Sequence, residues 1–446
     1  MTVVATTTWR GAPDRRIRRL PRLLAGLTDG RTTGLNVHER SYGPVPLPAD
    51  TGRGRAARAK ASRLIDVVER SGLTGRGGAG FPTGRKLRSV AAGPGPAVVV
   101  ANGAEGEPAS RKDRLLLSRA PHLVMDGISL AAFAVGATQA YLAVHDDDPR
   151  LMASLEAAAQ SRTVAGIDQV PIQIVGIEGR YVASEQTAIV QHINGGPGLP
   201  TFTPPRTHER GVANRPTALN NVETLAHLAL IARYGDNWFR EVGLPSAPGS
   251  TLVTVSGAVG RPGVYEIELG TPIGEVLMLA GGPVERPQAV LVGGYFGTWL
   301  EAETAWPVPM SHAALRSVGG AMGAGILIVL PESSCGLAET ARVIRYLADE
   351  TAGQCGPCMF GLPALADALA DLAYHGGRGD AAARIAGLIP LIEGRGACRH
   401  PDGATQLAVS ALSAFRHDAR WHDEHGPCFG IRHEPLLPIP GDVEYW

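Results

Sequence analysis

Between residues 97 and 175, short strand-like runs alternate with helical stretches. This rhythm constrains the fold more than any other feature of the chain. Ala97-Val-Val-Val-Ala101 has the length and branching of a strand buried on both faces. A helical stretch over 115–135 follows, then a strand over 139–144, a helix over 152–159 and a strand over 170–175. Strands separated by helices do not pair as hairpins, so the pattern predicts a parallel sheet covered by helices, an α/β fold. A chain of 446 residues, 44% apolar, has room for two to four such cores.

The texture divides the chain into five parts. Residues 1–60 are a polar lead-in with an arginine-rich arm at 10–19, and residues 61–245 hold the alternating pattern. Over 246–331 there are short β-type runs at 252–256, 263–267, 289–292 and 326–330, with one amphipathic helix at 273–280, a small α+β module. Residues 332–420 read as helical, and 421–446 as a tail. Lys+Arg and Asp+Glu are equal at 42, which argues against recognition of nucleic acid by phosphate neutralisation. No run of 18 apolar residues and no secretory layout is found, so the expectation is a cytoplasmic protein without direct membrane insertion.

A glycine-dense loop, Gly72-Leu-Thr-Gly-Arg-Gly-Gly-Ala-Gly-Phe-Pro-Thr-Gly84, follows a predicted helix at 57–71. It is therefore neither a strand-then-loop dinucleotide fingerprint nor a Walker loop. Its physics is still that of an anion cradle: successive N–H groups are left open, and Arg76 and Lys86 add charge. Lysine occurs only at Lys60, Lys86 and Lys112, which singles out Lys86 in an arginine-rich chain. Asn102-Gly-Ala-Glu-Gly-Glu-Pro108 leaves the carboxyl end of the first strand, where open α/β sheets bind ligands. Tyr181-Val-Ala-Ser-Glu-Gln-Thr187 also follows a strand. Asn220-Asn-Val-Glu-Thr224 opens a predicted helix over 220–234, where capping needs only one of the two asparagines.

Five cysteines is an odd number, and Cys355-Gly-Pro-Cys358 is a C-x-x-C pair that in a cytosolic chain suggests metal or redox work. Cys398 supplies a third thiol. Cys335 precedes a helix and reads as a buried thiol, and Cys428 reaches the others only if the tail folds back.

In order, these blocks resemble the flavin-bearing, NADH-oxidising subunit of respiratory complex I and the homologous diaphorase subunits of NAD-linked hydrogenases and formate dehydrogenases. The resemblance spans roughly residues 72–413. It implies a Rossmann-like FMN-binding domain, a β-grasp domain and a C-terminal helical bundle holding an iron–sulfur cluster. It implies that Gly75, Arg76, Gly77, Gly78, Lys86, Asn102, Asn220, Asn221 and Thr224 hold FMN. Tyr181, Glu105, Glu107 and Glu185 would line the pocket shared by flavin and nicotinamide, with Glu107, Glu185 and Tyr181 in the catalytic roles. Cys355, Cys358 and Cys398 would bind the metal. The implied partners are NAD(H) or NADP(H) and an iron–sulfur or ferredoxin-like electron-transfer subunit, in a hetero-oligomer.

The chain departs from the family pattern at several points. An aspartate position is Ala104, a glutamate pair is Glu185-Gln186, and an aromatic after Pro204-Pro205 is Arg206, which leaves NADH against NADPH open. The first cluster cysteine is Ala352. Three thiols leave a three-iron cluster, a non-cysteine or distant fourth ligand, a Cys₃His zinc site with His400, or no metal. The alternative reading is a degenerate, non-catalytic binding or assembly subunit that keeps the fold.

Overall fold

The computed structural model describes residues 20–27, 32–48, 54–376 and 380–441. The arginine-rich arm at 10–19 lies outside them. Four parallel strands, β1 (Ala97–Asn102), β2 (Ala137–His145), β3 (Ile172–Ile177) and β4 (Thr217–Asn221), form a sheet in the order β3-β2-β1-β4. β1 lies between two neighbours and under helices on both faces, which is why all its residues from Ala97 to Ala101 are apolar and buried.

The helical stretch predicted over 115–135 is two helices, Lys112–Arg119 and Pro121–Val135. They separate at Ala120 because the residue before a proline is driven out of the helical region. Helix Pro121–Val135 crosses helix Val222–Arg240 closely. A Cβ at Gly127 would lie 2.0 Å from the Leu225 carbonyl oxygen, so only glycine permits this approach.

The predicted helix at 220–234 begins too early. Asn220 and Asn221 belong to β4, and the helix starts at Val222. β4 carries no strand signal of its own in Thr-Ala-Leu-Asn-Asn, and it is extended because it pairs with β1, Val100 opposite Leu219.

A two-residue ribbon, β5 (Gly243–Leu244) with β6 (Ala247–Pro248), leads into a second sheet. This contains β7 (Ser250–Gly257), β8 (Gly263–Glu268), β9 (Pro287–Val292), β10 (Thr298–Glu301) and β11 (Ile326–Pro331), ordered β10-β9-β11-β7-β8. Only β11 and β7 pair in parallel, and β10 had no sequence signal. Alternation along β11 assigns its two faces. Leu327 and Val329 pack toward helix Ile273–Leu279, while Ile326, Ile328 and Leu330 pack with Leu337, Leu365 and Leu407 of the C-terminal helices. Those helices are Gly336–Asp349, Leu362–Ala370, Ala381–Ile392, His400–Ala414 and Arg416–His425. The second sheet therefore shares one core with the helical region.

Candidate functional site

The chain leaves β1 toward β2, while β4 lies on the other side of β1. The crevice at the carboxyl ends of β1 and β4 is thus the point where the winding reverses, the usual ligand position in open parallel sheets. Asn102 and Asn221 are register partners at this edge. The glycine loop lies against it. The Arg76 main-chain N–H donates to Thr224 Oγ1 at 2.8 Å, and a Cβ at Gly77 would sit 3.3 Å from Asn221 Cβ. Gly78 has φ +102°, a conformation that favours glycine, and a Cβ there would lie 3.4 Å from the Gly323 carbonyl oxygen.

Lys86 reaches the same edge. Its Nζ donates to the Leu219 carbonyl at 2.8 Å, and burial pulls the amine down to about 8. Asn221 is committed: its Oδ1 caps the following helix at the Glu223 N–H (3.0 Å), and its Nδ2 donates to Asp113 at 2.5 Å. Asn220 Nδ2 is buried without a protein partner. A buried amide donor with nothing to bond is costly, and a polar ligand would relieve that cost.

Arg76 differs from expectation. Its guanidinium does not face the loop's concave side but turns inward, buried, donating to the Ser250 carbonyl at 3.0 Å and standing 3.9 Å from Glu223. Its charge is spent on bracing the loop against β7, which leaves Lys86 as the cation of the cradle.

Beneath the loop lies a buried ion cluster that sequence reasoning did not assign. Lys112 Nζ is 2.7 Å from Asp113 and 3.1 Å from Glu223. Burial would raise Glu223, but Lys112, His227 and Arg76 outweigh it and hold the carboxyl at about 2. Burial pushes Asp113 up to about 7. The signal was available: Lys112, like Lys86, is one of only three lysines.

A cleft of about 730 Å³ opens beyond β1, β2 and β3, lined by Glu105, Glu107, Arg111, Tyr181, Tyr346 and Pro438 among others. The Tyr181 hydroxyl donates to Glu107 Oε2 at 3.0 Å, and the Tyr295 N–H donates to the same oxygen at 2.8 Å. Oε1 is buried and has no partner. Burial pushes the Glu107 carboxyl up to about 7, so near neutral pH it carries a proton part of the time.

The other two carboxylates are locally committed. Glu105 accepts from the N–H groups of Asp113 (3.2 Å) and Arg114 (3.1 Å) and from the Ser110 hydroxyl. Glu185 caps helix Gln186–Ile193 through the N–H groups of Thr187 (2.7 Å) and Ala188 (3.3 Å). The expected residues thus form two adjoining groups: the loop, Lys86, Asn220, Asn221 and Thr224 at the β1/β4 edge, and Glu105, Glu107 and Tyr181 on the cleft. Asn102 joins them, donating to the Ser184 carbonyl at 3.0 Å and standing beside Asn221 in the sheet.

Cys355, Cys358 and Cys398 converge in the helical region. Burial pushes the Cys358 thiol up to about 12, and the neighbouring Cys355 and Cys398 thiols add to it. Cys358 sits on a π-helical turn, Pro357–Gly361, a rare conformation that is frequent at functional sites. Cys398 receives the His400 N–H. His400 Nε2 is taken by the Leu347 carbonyl at 2.7 Å, and its ring lies edge-on to Tyr181 and Phe296.

One zinc ion would hold sulfurs roughly 3.8 Å apart. Among the described residues, no set containing these three thiols has its ligand atoms all within 4.8 Å. The spacing does not suit the Cys₃His zinc alternative. The tail does fold back, but it takes Cys428 to Cys335 and His422.

The comparisons agree with this architecture. Residues 68–230 match the family model of the Nuo51 FMN-binding domain, 252–294 the SLBB domain, and 338–422 the NADH-ubiquinone oxidoreductase-F iron-sulfur binding region. The F 2 subunit of the NADH-quinone oxidoreductase of Rhizobium meliloti is 32% identical over 378 residues, covering 82% of this chain and 90% of the relative. The corresponding F subunit of Streptomyces coelicolor is 32% identical over 374 residues, covering 81% and 82%. Among solved structures, an NAD⁺-reducing [NiFe]-hydrogenase in the H₂-reduced state superposes with a TM-score of 0.76 at 31% identity, over 81% of this chain and 63% of that one. The fold and site define a flavoprotein with an iron–sulfur region. The chain belongs to the family of NADH-quinone oxidoreductase F subunits.

Proposed function

We propose that this chain is the NADH-oxidising flavoprotein component of a cytoplasmic hetero-oligomer, passing electrons to an iron–sulfur partner subunit. One observation carries the reading. At the edge where the parallel sheet reverses its winding, Lys86 Nζ sits on the Leu219 carbonyl, the partnerless Asn220 Nδ2 belongs to the next residue of β4, and Gly77 of the loop packs on Asn221. Donors of this kind suit the phosphate and ring oxygens of FMN. Bound there, FMN would supply hydride acceptance from a nicotinamide and one-electron release.

The chain's own residues orient and protonate. Lys86, Asn220 and the N–H groups of Gly77 and Gly78 hold the anionic group, while the Gly75 N–H, expected to join them, is spent on the Phe81 carbonyl within the loop (2.9 Å). Tyr181 and the Tyr295 N–H fix Glu107 Oε2, and the buried, partnerless Oε1 is the oxygen left to carry a proton near neutral pH. Cys355, Cys358 and Cys398 supply three thiolates to an iron–sulfur group, whose usual shell has four.

A second reading, a non-catalytic relative, is favoured by Ala104 and Ala352. The visible spectrum of the purified protein before and after NADH or NADPH separates the two. A flavin spectrum bleached by one nucleotide supports the enzyme and names its donor. A colourless protein, still so after reconstitution with FMN, removes it.

A further inference from the structure

Cys335, His422 and Cys428 come from three separate segments. Cys335 is the N-cap of helix Gly336–Asp349, His422 lies in the last turn of helix Arg416–His425, and Cys428 is in the tail just past that helix. Their ligand atoms all lie within 4.8 Å of one another, with Cys335 Sγ 3.8 Å from His422 Nε2. A tetrahedral ion with bonds of roughly 2.3 Å to sulfur and 2.0–2.1 Å to nitrogen places its ligands roughly 3.5–3.8 Å apart. The observed set is close to that spacing.

The hydrogen bonding is also that of a ligand set. His422 Nδ1 is 3.1 Å from the Leu372 carbonyl and must donate its proton there. This leaves Nε2 as the unprotonated nitrogen, the second-shell arrangement found behind metal-bound histidines. Its lone pair accepts the Cys428 N–H at 3.1 Å, a bond that an incoming ion would replace. Cys335 Sγ accepts the Ala338 N–H at 3.4 Å from a helix N-terminus, which steadies a thiolate once formed. His422 and Cys335 are buried and Cys428 is half-buried, so water could complete the shell only from the Cys428 side.

We infer that Cys335, His422 and Cys428 bind a single zinc ion, distinct from the iron–sulfur thiols. The ion would fasten the tail to helix Gly336–Asp349. That tail continues to Leu436 and Leu437, whose N–H groups donate to Glu339, and to Pro438, Ile439 and Pro440, which wall the cleft at Glu107. The site therefore anchors one wall of the nucleotide cleft from outside it.

The test is elemental analysis of the full-length protein, purified anaerobically and given Zn²⁺ before gel filtration. The expected result is about one zinc per chain, lost in Cys428→Ser and in His422→Gln but kept in Cys358→Ser. Cys428→Ser is the principal variant because its half-buried position tolerates the change. A folded Cys428→Ser protein that keeps its iron while losing zinc separates this site from the cluster. Cobalt in place of zinc should give the visible bands of a tetrahedral thiolate site in wild type and none in Cys428→Ser. Three results would overturn the proposal: no bound zinc, zinc unchanged in Cys428→Ser, or a Cys335–Cys428 disulfide found by mass spectrometry in metal-free protein.

Discussion

Lys86 donates to the main-chain carbonyl of Leu219 across 2.8 Å, one residue before the asparagine pair at the end of β4. The bond carries a side chain from the helix after the glycine loop to the carboxyl edge of the sheet. The contact holds the ammonium in place without neutralising it, since a carbonyl carries no charge. Lys86→Ala is expected to keep the far-ultraviolet circular dichroism and to weaken FMN binding. Loss of one charged hydrogen bond, about 1.5–3 kcal/mol, corresponds to roughly ten- to hundredfold in Kd. Flavin fluorescence titration measures it, and an unchanged Kd would take Lys86 out of the site.

The Glu107 carboxyl sits at about 7 in the folded protein against an ordinary 4.5. The folded state therefore holds a proton that the unfolded chain has released between those values. The stability this proton contributes is full below pH 4.5 and is lost as pH rises through 7. Glu107→Gln stays neutral throughout. Relative to the variant, the wild type should lose on the order of 3 kcal/mol between pH 4.5 and 8. Melting temperatures of both proteins across that range provide the check, and parallel curves would refute the shift.

Glu185 is an N-cap first. Glu185→Ala removes the acceptor for two N–H groups and should cost about 1 kcal/mol. Glu185→Gln keeps an acceptor and should melt near wild type. If the carboxylate also orients nicotinamide, as the family resemblance implies, the Gln variant slows flavin reduction by roughly ten- to hundredfold in stopped flow. An unchanged rate would leave Glu185 as a helix cap alone.

Three thiols at Cys355, Cys358 and Cys398, with Ala352 where the family has a cysteine, should give an iron centre that is three-iron or easily lost in air. Cys358→Ser should abolish it, and Ala352→Cys should lengthen its lifetime in air. Iron and sulfide analysis with electron paramagnetic resonance under anaerobic conditions reads both. Absence of iron in the wild type would mean that electrons leave from the flavin directly.

Glu223 stands between Lys112, Arg76 and His227 with no solvent exposure. Glu223→Gln leaves two buried cations short of a counter-charge and should cost about 3–5 kcal/mol in urea unfolding. A cost below about 1 kcal/mol would show that the cluster is solvated.

The class of fold was legible in the chain alone. The strand-like runs at 97–101, 139–144 and 170–175 with helices between them bury their surfaces as a helix-covered parallel sheet, and the three strands lie close to where the pattern put them. The glycine loop and the C-x-x-C pair were equally visible, because tight turns and metal ligands depend on residue type and local spacing. What depended on tertiary structure was partnership. β4 is a strand only because β1 offers it a ladder, so Asn220 and Asn221 read as a helix start until the sheet was assembled. Arg76 looked like an anion-binding cation, yet Ser250 and Glu223, about 150 residues or more away in sequence, turn it inward. Cys428 belongs with Cys335 and His422 and not with the C-x-x-C thiols because the tail packs on helix Gly336–Asp349. Local pattern specifies backbone conformation and the chemistry available. Which charge is spent, which donor stays free and which thiols meet is decided by contacts between segments far apart in the chain.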